Sequence, residues 1–144
     1  MLQKSLRISY LEGTEKPTDA LLIIEKALND MSKAADWPIS LTMRANLILE
    51  ELVLNTLTYG SVGGLTGIDI ELQFQDNKLS VQIIDDGAEF NPLVDAPIPD
   101  TNLPLQDRAI GGLGVFLVKT MSQDLAYKRE NNRNHLQFNV VSES

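Results

Sequence analysis

The chain has 144 residues, 43% of them hydrophobic, which fits one globular domain with a real core and excludes a disordered chain. It contains no cysteine, so a disulfide framework and a thiolate zinc site are both excluded. Its formal charge of −8 repels phosphate backbones, so direct nucleic-acid binding is not expected.

No apolar run approaches the length of a transmembrane helix, so no membrane span is expected. The N-terminal MLQKSLRISYLEG alternates like a strand and lacks the apolar stretch of a signal peptide, which points to a cytoplasmic protein. Within it, LRISYL at 6–11 predicts a first strand with Leu6, Ile8 and Tyr10 on one face. Pro17 suits the first turn of a helix capped by Thr14 or Glu15 and running to about Ala35. Trp37-Pro38 interrupts it, and the tryptophan is expected to pack rather than react.

A second helix is predicted from Ser40 to about Tyr59, ended by Gly60, Gly63 and Gly64. Strands follow at Gly67–Gln75 and Leu79–Ile84 around the turn Gln75-Asp76-Asn77-Lys78. The clean alternation of IDIELQF predicts one wet face. The irregular stretch from Gly87 to about Gly112 holds Pro92, Pro97, Pro99 and Pro104, four of the six prolines, and reads as a lid at about 88–110. GGLGVFLVKTM then opens a third helix at a glycine-rich turn. Two last strands fit Leu125–Arg129 and His135–Val141, with Asn131–Asn134 as the hairpin turn. Blocks of helices and antiparallel strands predict an α+β fold: a two-layer α/β sandwich, one mainly antiparallel sheet covered on one face by about three helices.

Three short patterns are able to carry chemistry. In ILEELVLNTLTYG, Glu51 and Asn55 stand four residues apart, so their side chains project together from an otherwise oily helix. Such a pair is either an exposed stripe continued by Asn46 and Glu50, or the lining of a polar site. In the second case glutamate supplies a base and asparagine a neutral oxygen for Mg²⁺. In IIDDGAEFNP, Asp85 at a strand end is placed to accept a hydrogen bond from an amino group such as that of adenine, and Gly87 lets a flat ring approach the backbone. A plain Asp-Gly turn would look the same. GGLG at 111–114 opens a helix with free amide N–H groups, which favours phosphate. It is not a P-loop, since no Gly-Lys-Ser/Thr follows.

In this order, the E-x-x-x-N helix, the D-x-G strand end, the long segment and the G-x-G before a helix resemble the ATP-binding domain of the GHKL superfamily. That group includes gyrase, heat-shock chaperone, histidine kinase and mismatch-repair ATPases, and its fold is the Bergerat ATP-binding fold. More closely, EELVLN, IDDGAEFNPL and RAIGGLGVFLVKTMSQDLAYKRENNRNHLQF look like the bacterial anti-sigma-factor serine kinases, over roughly Leu6 to Val141. The resemblance implies a role for each matching position. Glu51 would be the general base, Asn55 the Mg²⁺ ligand, and Asp85 the acceptor for the adenine amine, with Gly87 beside the ring. Gly112 and Gly114 would cradle the phosphates, and Arg108 would touch the β- or γ-phosphate. It implies ATP and Mg²⁺ as cofactors, and transfer of the γ-phosphate to a serine of an anti-anti-sigma (STAS-domain) partner, with a sigma factor as a second partner. The alternative is a non-catalytic regulator that holds nucleotide and sequesters a partner. A homodimer is compatible with the resemblance, and no sequence feature fixes it. Two positions depart from the pattern: Glu89 replaces a glycine of the first nucleotide loop, and Tyr59 stands where many of these kinases have histidine. The single histidine, His135, lies near a late strand and no phosphoacceptor helix is present, so His135 is expected to be structural and a histidine kinase is not expected.

Overall fold

A computed structural model describes residues 1–10, 17–60, 64–94 and 118–141. Strand β1 spans Leu2–Ser9, helices α1 and α2 span Pro17–Ala35 and Ile39–Asn55, and the chain winds on as a π-helical turn over Thr56–Gly60. Strands β2 and β3 are Gly67–Gln75 and Lys78–Asp85, and β4 and β5 are Gln123–Glu130 and Arg133–Val141. Residues 118–121 are helical. Among the described residues no helix is long and apolar enough to cross a membrane.

The five strands form one sheet in the order β1-β2-β3-β5-β4, and each neighbouring pair is antiparallel. Alternation sets the faces. Ile68, Ile70 and Leu72 of β2 are buried while Glu71 and Gln73 are exposed, because successive side chains of a strand point to opposite sides. The buried side meets α1 and α2, whose Ile24, Leu28, Leu41, Ile48 and Leu49 close the same core. Trp37 packs in that core with its ring centroid 5.2 Å from that of Phe74, as a packing residue does. The result is the expected two-layer sandwich, open to solvent on the polar face of the sheet.

The turns explain where the elements stop. α1 ends at Asp36, which adopts φ 53°, and the Trp37 N–H reaches back to the Ser32 carbonyl at 3.1 Å. That 6→1 bond with a left-handed residue is a Schellman stop made without glycine. Both hairpins have two-residue loops with left-handed dihedrals throughout: Asp76 and Asn77 at 55° and 61°, Asn131 and Asn132 at 54° and 60°. Such turns match the strand twist, and Asp and Asn tolerate them better than other side chains do.

Most boundaries fall within two residues of the sequence expectation, and three of the differences matter here. β1 begins at Leu2, because Leu2 and Lys4 pair with Phe74 and Leu72 although their polar neighbours hide the pattern. α2 proper stops at Asn55 rather than Tyr59, since the winding loosens over Thr56–Gly60. β5 starts at Arg133, so Asn134 belongs to the strand and not to the turn.

Because both loops already hold the dihedrals that glycine prefers, Asn77→Gly and Asn132→Gly are each expected to stabilise the fold by about 0.5 kcal/mol. In urea titration this appears as a higher midpoint at unchanged slope; a lower midpoint for both would contradict the turn assignment.

Candidate functional site

The register produces a site at one end of the sheet. Reading across the helix-facing side, Leu6, Ile70, Ile83, Leu136 and Tyr127 lie opposite one another on β1, β2, β3, β5 and β4. That row is almost wholly apolar. One step further along, the row is Ile8, Ile68, Asp85, Asn134 and Arg129. Two apolar residues are followed by a carboxylate, a carboxamide and a guanidinium, at positions where the sheet otherwise packs on helices.

Asp85 and Asn134 are 6% and 5% exposed. Burial of a carboxylate without partners costs several kcal/mol, so the bonds it makes decide whether it is tolerated. The Gly87 N–H donates to Asp85 Oδ1 at 3.0 Å, and Asn134 Nδ2 donates to the same oxygen at 2.9 Å. Asp85 Oδ2 receives no hydrogen bond among the described residues. Burial pushes the Asp85 carboxyl up from its ordinary value; the Asn134 and Gly87 bonds and the Arg129 charge oppose that rise, and Asp86 adds to it. One oxygen is therefore anchored inside the protein and the other remains to accept a donor from outside.

The neighbouring Asp86 does a different job. It accepts from the Thr66 N–H at 2.8 Å, from the Gly67 N–H at 3.2 Å and from the Thr66 hydroxyl. Burial works against its ionisation, but these bonds prevail and hold its carboxyl below the usual range. Asp86 thus ties the end of β3 to the start of β2 and fixes the backbone next to Asp85.

On α2, Glu51 is half-buried and Asn55 is only 3% exposed. They are not the exposed stripe that the spacing also allowed; Asn46 instead pairs with Glu50, donating at 3.1 Å, one position away. The Asn55 amide nitrogen is buried with no hydrogen-bond partner among the described residues. Unpartnered buried amides are rare, and a free N–H donor calls for an acceptor. Its neutral carboxamide also suits a hard cation such as Mg²⁺, which takes oxygen ligands. Burial pushes the Glu51 carboxyl up, and the adjacent Glu50 charge adds to it, so Glu51 is a better proton acceptor than an ordinary glutamate. Directly after Asn55 the helix changes to π winding, a local device often found at functional sites.

The loop after β3 is tethered as well. Asn91 accepts from the Leu93 N–H at 2.9 Å in an Asx turn, and Lys119 donates to the Leu93 carbonyl at 3.1 Å. Glu89 is exposed. Arg108, Gly112 and Gly114 lie outside the described residues, as does most of the 88–110 stretch. His135 sits on the polar face of the sheet, half-exposed, away from Asp85.

Sequence reasoning missed Asn134, Tyr127 and Arg129. The signal was present for Asn134: in R-N-H-L-Q-F-N-V the inward positions read Asn134, Leu136, Phe138 and Val140, and only the first is polar. An asparagine in a buried strand position asks for a partner.

Because the fold raises the Asp85 carboxyl, it favours the neutral form. Stability from this group is complete below the unfolded value of 3.8 and is lost as pH rises through the higher folded one. Asp85→Asn is therefore expected to be more stable than the parent at pH 7, with the difference closing as the pH is lowered through the carboxylate range. Urea melts between pH 4 and 8 check this, and a less stable variant at pH 7 would contradict it.

Comparison with known proteins identifies the family. Residues 15–140 match the family described as the histidine kinase-like ATPase domain. The chain is 30% identical over 121 residues to serine/threonine-protein kinase BtrW of Bordetella bronchiseptica, covering 83% of this chain and 81% of the relative. A solved structure, the histidine kinase AdeS of Acinetobacter baumannii, aligns with a TM-score of 0.49 at 14% identity, over 100% of this chain and 70% of that one. On the match across nearly its whole length, the chain belongs to the histidine kinase-like (GHKL) ATPase domain family.

Proposed function

We propose that this protein is an ATP-dependent protein-serine kinase of the anti-sigma type, which phosphorylates a serine of a STAS-domain anti-anti-sigma protein. The observation that carries the reading is the pair on α2: a half-buried Glu51 with a raised pKa, one turn before a buried Asn55 whose amide nitrogen lacks a partner among the described residues. Nucleotide binding alone needs no base. The likeness to a protein named as a serine/threonine-protein kinase supports the same choice.

In this reading Asp85 Oδ2 accepts a hydrogen bond from the exocyclic amine of adenine. Guanine presents a carbonyl there and is repelled. Gly87, buried beside Asp85, leaves room for the ring edge. Asn55 holds Mg²⁺, which when bound neutralises phosphate charge. Glu51 takes the proton from the serine hydroxyl as its oxygen bonds to the γ-phosphorus and the bond to the ADP oxygen breaks. Gly112, Gly114 and Arg108 are assigned to the phosphates by the resemblance.

Glu51→Gln is expected to retain ATP affinity and to lose phosphoryl transfer by about 10²-fold or more, a typical share for a general base. Radiolabelled transfer to a purified STAS-domain protein, beside calorimetric titration, separates the two effects. Transfer surviving at the parental rate would remove Glu51 as the base. ATP binding without any transfer by the parent protein would favour the non-catalytic regulator instead. Asn55→Ala is expected to abolish the dependence of ATP affinity on Mg²⁺; an unchanged dependence would place the metal elsewhere.

A further inference from the structure

The β4–β5 hairpin reaches across to the loop that follows Asp85 and grips it at successive residues. Arg129 donates to the Gly87 carbonyl at 2.9 Å. Asn134 Nδ2 donates to the Ala88 carbonyl at 2.8 Å as well as to Asp85. Asn134 Oδ1 accepts from the Phe90 N–H at 3.3 Å and from the Tyr127 hydroxyl at 2.6 Å.

The orientation of the Asn134 amide is fixed by these partners. A carboxylate and a carbonyl only accept, and a backbone N–H only donates, so the nitrogen must face the first two and the oxygen the last. Both donors and both acceptor positions of the side chain are then used. Asn134 has nothing left to offer a ligand directly, and its place is behind Asp85.

Two consequences follow. Asn134 and Gly87 both take Asp85 Oδ1, which leaves Oδ2 as the outward atom. The 87–90 backbone is held by side chains from β4 and β5, while Glu89, in place of the glycine of the family pattern, points to solvent. The loop's path thus depends on the clasp more than on backbone freedom at residue 89.

We propose that Asn134, supported by Tyr127 and Arg129, is the positioning residue of the nucleotide site: it fixes the orientation of the Asp85 carboxylate, so that one oxygen is held inside and the other faces the base, and it sets the path of the 87–90 loop. This rests on the adenine reading of Asp85 given above. A positioning role differs from a purely architectural one in what it moves. Loss of the clasp lets Asp85 turn or protonate, so adenine selectivity falls along with affinity. It also removes a bond that favours the ionised carboxylate, leaving Arg129 and Asp86 as the remaining charges that act on Asp85.

The test is calorimetric titration of parent, Asn134→Ala and Arg129→Met proteins with ATP and with GTP, in Mg²⁺, across pH 5 to 8, with thermal melts to show that each is folded. For Asn134→Ala, ATP affinity is expected to fall about tenfold, the loss of a hydrogen bond to a charged group. The ATP-to-GTP preference is expected to shrink, and the acidic midpoint of ATP binding to move to higher pH. Arg129→Met, which leaves Asn134 in place, is expected to show the same three changes to a lesser degree, and it decides the matter if Asn134→Ala does not fold. A folded variant with parental affinity, preference and pH midpoint overturns the proposal while leaving the adenine reading intact. A parent protein that binds no ATP overturns both.

Discussion

A carboxylate placed in the last buried row of a sheet is costly unless its charge is satisfied, and Asp85 is satisfied on one side only. Gly87 and Asn134 both hold Oδ1. Around that half-satisfied group the end of the sheet is organised. Asp86 locks β3 to the start of β2, Asn134 and Arg129 hold the loop, and Tyr127 holds Asn134. The fold accepts a carboxyl raised by burial, and the same arrangement leaves an acceptor oxygen in a largely desolvated place. There a hydrogen bond to a ligand is worth more than it would be in water.

The second group of buried polar residues follows the same logic in a different element. α2 is oily because Leu41, Ile48, Leu49 and Leu52 face the sheet. Asn55 is buried with them, and its amide nitrogen finds no partner among the described residues. Glu51 sits one turn earlier, where burial and Glu50 both raise its carboxyl. Local stability is given up at Asp85, Glu51 and Asn55 alike, and a site for charged ligands is the usual reason for such concessions.

Much of this was legible in the sequence. Strict alternation in IDIELQF fixed β2 to its observed ends, and the Asp-Asn and Asn-Asn pairs marked both hairpin loops. The E-x-x-x-N and D-x-G patterns are each ambiguous alone, and only their order along the chain, through its resemblance to the GHKL domain, singles out Glu51, Asn55, Asp85 and Gly87. What stayed hidden were residues whose meaning depends on register. Arg129 and Tyr127 lie on an edge strand where charged and aromatic side chains are ordinary, and only pairing with β5 carries them to the loop after β3. Asn134 looked like the end of a turn because asparagine is common there, whereas its pairing with Asp85 places it in the sheet. The loosened turn at 56–60 was hidden too, since a single five-residue π turn is too short to show its period.

The central claim is that Asp85 Oδ2 and the α2 pair receive an adenine nucleotide with its metal. It is tested most directly by titrating the parent protein with ATP, with and without Mg²⁺, and with GTP in Mg²⁺. The account predicts magnesium-dependent ATP binding that GTP does not match. Equal affinity for the two nucleotides, or no binding at millimolar ATP, would contradict it.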